Sequence, residues 1–162
     1  MKSFGLSLKN IKKISERSLG HVAEGVLSLK SLEKFYLDTD QDIYTSASLE
    51  IIADGLNDNK NLKGVYLNLK NPKKMKDEGW TSLKDSISCM PCVKEFTFEQ
   101  KEASKSPKFI DNIGYAFEGL KALKQLEKLR LSFGELKPKT KSKSWLILGE
   151  ALKELQLLNS FF

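Results

Sequence analysis

The 162-residue sequence predicts an α/β fold in which strand–helix units repeat and stack, a parallel sheet lining the inner, concave side and helices covering the outer, convex side. Two observations predict it. Sliding the chain against itself lays Leu32, Phe35 and Leu37 over Leu62, Val65 and Leu67, then over Val93, Phe96 and Phe98, then over Leu126, Leu129 and Leu131, at intervals of 30, 31 and 33 residues. Ahead of each such strand the same register carries the apolar stripe of a helix: Leu19, Val22, Val26 and Leu29; Leu49, Ile52 and Leu56; Trp80, Leu83, Ile87 and Met90; Ile113, Ala116, Leu120 and Leu123; Trp145, Leu148, Leu152 and Leu155.

One helix and one strand cannot bury such a stripe alone, so neighbouring units must share a continuous core. A helix between successive strands implies parallel pairing and right-handed crossovers. Strands stack about 4.8 Å apart while packed helices need roughly 8–10 Å, so the stack bends with its sheet inside, into a segment of a horseshoe. Residues 1–162 are expected to form one such domain, about five strand–helix units with the last incomplete.

Residues 1–8 match a strand when Met1, Phe4 and Leu6 take the places of Leu32, Phe35 and Leu37. A helix follows over 15–29, with Ser15 or Ser18 able to cap its first amides. His21 falls beside the stripe of that helix, and with no second His and no nearby Cys it reads as structural. The strand over 32–37 passes through an acidic loop to a helix from about residue 47, capped by Thr45 or Ser46. The strand over 62–67 is followed by NLKNPKKMKDEG, whose Asn-Pro pair and lysines mark a solvated loop. Trp80 and Trp145 share one repeat position and are expected as core anchors. After the strand over 93–98, Ser106 and Pro107 suit an N-cap and a first helical residue. The last helix, over 145–155, leads into Leu158 and Phe161, where another strand begins.

Val22-Ala23-Glu24-Gly25-Val26 and the run from Ile52 and Ala53 through Gly55, Leu56, Asn59 and Leu62 resemble the LAxGLxxNxxLxxLxL segment of leucine-rich repeats of the ribonuclease-inhibitor type. The resemblance covers nearly the whole chain and implies a leucine-rich-repeat solenoid that binds other proteins. Two departures stand out. The repeats are longer than the family's usual 20–29 residues, and the Asn that normally follows the strand is replaced by Asp40, Lys70, Lys101 and Gly134.

Composition narrows the function. The chain is 40% hydrophobic and 30% charged, and no run approaches the roughly 18 apolar residues of a membrane span. The first thirteen residues, broken by Lys9, Lys12 and Lys13, do not make a signal peptide, so the expectation is a cytoplasmic protein in a cytoskeletal setting. Cys89-Met90-Pro91-Cys92 is a CxxC at the closing end of a helix, where the dipole does not favour a thiolate, and with no further cysteine it reads as two reduced thiols. No phosphate-cradling loop, nucleophile elbow, HExxH or calcium loop occurs, so no catalytic residue, metal or cofactor is assigned, no small-molecule substrate is expected, and an enzyme is not predicted.

Binding is expected on the concave face, where strand residues between the apolar positions point away from the core. One column is Gly5, Tyr36, Tyr66, Thr97, Arg130 and Phe162, the next Ser7, Asp38, Asn68, Glu99 and Ser132. The residues assigned to contact are Tyr36, Asp38, Tyr66, Asn68, Thr97, Glu99 and Arg130, with the tyrosines and the arginine as anchors. The net charge of +6 is unevenly placed: Asp38, Asp40 and Asp42 surround the first loop, whereas the later loops form a basic rim that includes Lys73, Lys74, Lys76, Lys105, Lys108, Lys139, Lys141 and Lys143. Phe161 and Phe162 form a third candidate, a terminal interface, since repeat arrays need capped ends. Together these predict a non-catalytic interaction scaffold, a structural subunit whose partners are other protein chains contacting its C-terminal end. Two alternatives are a regulator of a small GTPase, which the family resemblance implies, and a binder of an acidic polymer through the lysine rim; protein ranks ahead of nucleic acid as the partner class.

Overall fold

The computed structural model describes residues 1–7, 15–38, 46–69, 76–100, 109–134 and 143–162. Strands β1 (Ser3–Ser7), β2 (Lys34–Asp38), β3 (Gly64–Asn68), β4 (Glu95–Gln100), β5 (Lys128–Phe133) and β6 (Ser160–Phe161) alternate with helices α1 (Glu16–Leu27), α2 (Ser46–Asp58), α3 (Asp77–Ser88), α4 (Phe109–Leu120) and α5 (Ser144–Glu154). The strands form one parallel sheet in sequence order, and each helix packs against the next. The α/β class and the strand-and-helix alternation read from the repeat are the ones found.

The register follows the apolar ladder: Phe35 lies against Val65, Val65 against Phe96, Phe96 against Leu129, and Leu129 against Phe161. A single backbone bond recurs from unit to unit, since the amide of Glu33 donates to Lys2 O, Lys63 to Glu33 O, Lys94 to Lys63 O, Glu127 to Lys94 O and Asn159 to Glu127 O, all at 2.7–2.9 Å. The turn entering each strand repeats too, with Leu32, Leu62, Val93, Leu126 and Leu158 each donating to the carbonyl three residues back. These recurring bonds fix the phase of every strand, because a slip of one residue would turn the ladder out of the core.

Between sheet and helices lies one continuous core, including Leu32, Leu37, Ile52, Leu67, Trp80, Leu83, Phe98, Phe117 and Leu126. An aromatic seam crosses the last units: Trp80 meets Phe98, Phe98 meets Phe133, and Phe133 contacts Phe117 and Trp145, with ring centroids 6.1–6.4 Å apart. Helices approach closely where a side chain is missing. A Cβ on Gly79 would lie 2.9 Å from Ser46 Cα, and one on Gly119 would lie 2.8 Å from Lys84 O.

Four local expectations are refined. Ser15 caps α1, its Oγ accepting from the Ser18 amide at 3.0 Å. Val22 is exposed, because among the described residues α1 has a neighbouring helix on one side only. His21 is also at the surface, paired with Glu24 at 3.3 Å, rather than tucked beside the core. Trp80 is fully buried, whereas Trp145 is half-buried, since no helix among the described residues packs on the far side of α5. Thr45, Ser106 and Pro107 lie outside the described residues.

Candidate protein-binding face

Extended backbone sends alternate side chains to opposite sides of the sheet, so each strand that gives two or three apolar residues to the core gives the intervening ones to the concave face. Parallel register then stacks these residues in rows. Gly5, Tyr36, Tyr66, Thr97 and Arg130 lie in register, as do Ser7, Asp38, Asn68, Glu99 and Ser132.

The first row contains a rigid aromatic pair. Tyr36 and Tyr66 stack with centroids 4.1 Å apart and planes within 10°, close to the strand spacing. Their hydroxyls are held: Tyr36 donates to Asp38 Oδ2 and Tyr66 to Glu99 Oε2, each at 2.9 Å. Burial, followed by the Glu99 bond, pushes the Tyr66 phenol well above the usual range for tyrosine. Arg130 Nε stands 3.6 Å from Glu99 Oε1 and keeps most of its side chain in solvent. Tyr66, Glu99 and Arg130 therefore join three successive strands through one carboxylate.

The second row corrects the sequence reading. Asp38 and Asn68, assigned to contact, are 1% and 0% exposed. Asn68 Nδ2 donates to Asp38 Oδ1 at 2.7 Å while the Tyr36 hydroxyl donates to the other carboxylate oxygen, so the Asp38 carboxylate is consumed inside the face, and Asn68 Oδ1 is buried without a hydrogen-bond partner among the described residues. A buried carboxylate needs such donors, which accounts for the pairing. Thr97 and Glu99 are half-buried, and Tyr36 and Arg130 are the exposed members of the assigned set.

A third row, absent from the sequence reading, lies at the N-terminal ends of the strands. Lys34, Gly64, Glu95 and Lys128 are in register, and Glu95 is gripped from both sides by Lys34 Nζ at 3.2 Å and Lys128 Nζ at 3.0 Å. Lys34 reaches Glu95 across β3 because Gly64 carries no side chain, and its stem lies over that glycine. The bonds from Lys128 and then Lys34 hold the Glu95 carboxyl below the usual carboxylate range. Beside this row Glu33 pairs with Lys63 at 3.0 Å and Lys2 at 3.3 Å, which lowers it likewise, Lys63 contributing most. Lys94 pairs with Glu127 at 2.7 Å, which raises the lysine. Ser3, Lys34, Tyr36, Gly64, Tyr66 and Thr97 help line a shallow depression of about 330 Å³ between the charged and aromatic rows. The signal in sequence was a charge or a glycine one residue before Phe35, Val65, Phe96 and Leu129, repeated at the repeat interval.

Of the basic rim, Lys76 and Lys143 are exposed at the starts of α3 and α5, and Lys73, Lys74, Lys105, Lys108, Lys139 and Lys141 lie outside the described residues. Phe161 and Phe162 are 50% and 73% exposed beside the two-residue β6. Cys89 and Cys92 are both free and exposed at the end of α3. Among the described residues no group of three or more His, Cys, Asp or Glu side chains is placed to hold a metal ion, and no helix is long and apolar enough to cross a membrane.

No protein-family model matches the sequence, and no curated protein matches it. Solved structures do. The tropomodulin C-terminal domain of Caenorhabditis elegans superposes with a TM-score of 0.59 at 12% identity, over 93% of this chain and 83% of that one. Leiomodin-1 actin-binding site 2 superposes with a TM-score of 0.60 at 14% identity, over 93% of this chain and 79% of that one. At these identities the similarity establishes a shared leucine-rich-repeat-type fold with a parallel inner sheet.

Proposed function

We propose that this protein is a non-catalytic interaction module of the cytoskeleton that binds a polymer-forming protein of the actin kind through its concave face. The observation that carries the reading is the Tyr36–Tyr66 stack, fixed by hydroxyl bonds to Asp38 and Glu99, with Arg130 beside it. Tyr and Arg concentrate binding energy at protein interfaces, and the two tyrosines are already ordered, so little of their rotamer entropy is lost on docking. The structural similarity to a fragment named for binding actin supports the choice of partner. One unit supports a repeat of the ribonuclease-inhibitor type: it carries Gly55 and Asn59, and Asn59 is buried with its Nδ2 donating to Leu29 O of the preceding unit at 2.9 Å.

Co-sedimentation with polymerised actin tests this. The chain should pellet with filaments, and Tyr36→Ala and Arg130→Ala, both at exposed positions, should each weaken binding by about tenfold, the effect of losing an interface anchor. A chain that stays in the supernatant, or binds equally after both substitutions, overturns the proposal.

A second contact with a neighbouring chain of the same assembly is proposed at Leu157, Phe161 and Phe162, three exposed large apolar residues at one end of the sheet. Phe161→Asp should reduce incorporation into that assembly while leaving the isolated protein folded. Unchanged incorporation counts against the contact.

A further inference from the structure

The convex side carries a different chemistry from the face just described. The five helices hold twelve carboxylates against three basic residues, Arg17, Lys84 and Lys153, although the whole chain is basic. The helices themselves are therefore acidic and the excess of lysine lies in strands, turns and loops; two of those lysines, Lys121 and Lys124 in the turn after α4, pair with Glu150 and Glu154 of α5 at 3.1 and 2.7 Å, which leaves Asp111 and Glu118 as the α4 carboxylates turned to the groove. Within this acidic surface α4 and α5 leave a groove of about 450 Å³ lined by Asp111, Gly114, Tyr115, Glu118, Lys143, Ser144 and Ile147. Its floor is a close helix approach, since a Cβ on Gly114 would stand 2.7 Å from Ser144 Oγ. One end is tied by the Ser144 hydroxyl donating to Asp111 O at 3.0 Å. Tyr115 and Ile147 give the groove half-buried apolar walls, and adjoining Ile147 on the same helix, Leu146 is 71% exposed.

We infer that this groove is a second protein-docking site, taking a segment of a partner that presents a large apolar side chain flanked by Lys or Arg, in the manner of an amphipathic basic helix. The apolar side chain fills the space between Tyr115 and Ile147 against Leu146, and the flanking cations meet Asp111 and Glu118. Among the described residues Lys143 is the basic residue lining the groove, and it stands at the Asp111 end, next to Ser144, so Glu118 at the other end is the main anchor for a partner's cation. An anionic membrane is disfavoured as occupant by the acidic character of all five helices. The site is on the opposite side of the sheet from Tyr36 and Arg130, so the two docking events are separable.

Titrating isotope-labelled protein with three synthetic helical peptides, one of Leu and Lys, one of Leu and Glu, and one with Ser in place of every Leu of the first, tests the inference by amide chemical shifts. The Leu/Lys peptide should shift Gly114, Tyr115, Glu118 and Ile147. Glu118→Lys and Leu146→Glu, both at exposed positions, should each weaken it roughly tenfold, while Tyr36→Ala leaves it unchanged. The inference is overturned if these amides do not move, if either control peptide binds as well, if phosphatidylserine vesicles produce the same shifts, or if the shifts appear with protein concentration alone, which would assign the groove to a second copy of the chain.

Discussion

The two sides of the one sheet are built from the same strands and held together in different ways. On the side facing the helices Phe35, Leu37, Val65, Leu67, Phe96, Phe98 and Leu129 are buried and interchangeable in kind, each touching many neighbours without direction. On the concave side polar residues are held by specific, directional partners in other units: Tyr66 with Glu99, Asn68 with Asp38, Lys34 with Glu95. Stability should therefore reside on the first side and specificity on the second.

Substitutions can break that division, and they fall in a definite order. Trp80→Ala removes the largest fully buried side chain and one end of the aromatic seam, and should cost about 3–5 kcal/mol in denaturant unfolding. A loss under about 1 kcal/mol would show that the core is not where the fold is held. Gly79→Ala sets a Cβ 2.9 Å from the Ser46 backbone and should cost about 1–3 kcal/mol through overpacking between α2 and α3. On the concave side Asn68→Ala withdraws a donor from the buried Asp38 carboxylate and should cost about 1–3 kcal/mol, the largest effect available there. If it is neutral, the buried polar pair is dispensable and the division is sharper than described.

The charged row should respond to pH. Glu95 and Glu33 have folded-state pKa values below the ordinary carboxylate value, so their contribution is present above that value and is lost as the pH falls through the depressed folded values. Acid titration of the unfolding midpoint should show a decline beginning below about pH 4.5, smaller in Lys34→Ala, which removes one of the two cations on Glu95. Tyr66 behaves in the opposite sense: its raised pKa keeps the folded phenol protonated beyond the pH at which an unfolded tyrosine ionises. Alkaline titration by ultraviolet absorbance, compared with that of Tyr66→Phe, should assign no ionisation to Tyr66 in the ordinary tyrosine range until the protein unfolds.

These contrasts explain what could be read in advance. The core is written at short range, in spacings of two and three residues that recur at Leu32, Phe35 and Leu37 and again in each unit, so the strands, their order and the placement of Leu83, Ile87 and Leu120 were legible. The concave face is organised across the repeat, and a residue's exposure there depends on what stands in the same row. Asp38 reads as a surface charge until Tyr36 and Asn68 are set against it, and Lys34 reads as a solvated lysine until Gly64 is seen to let it pass. Val22 and Trp145 were misjudged for a related reason: repeat position says which side of a helix faces the core, but not how much of that side a neighbouring unit covers.

Lys34 and Glu95 are joined across an intervening unit, 61 residues apart, while nearly every other tie between units spans about one repeat. Solenoids grow and shrink by gaining or losing whole copies of their unit, and a tie of one-repeat span survives such an event because any neighbour can supply the missing end. A tie that skips a unit does not survive it. Inserting a copy between β2 and β4 would carry the two ends beyond reach, and deleting β3 would bring them together without the glycine over which the lysine lies. The bridge thus makes the second to fourth strands the passage in which gaining or losing a whole unit would alter a tie between non-adjacent units, at a cost of about 0–1 kcal/mol for so exposed a pair.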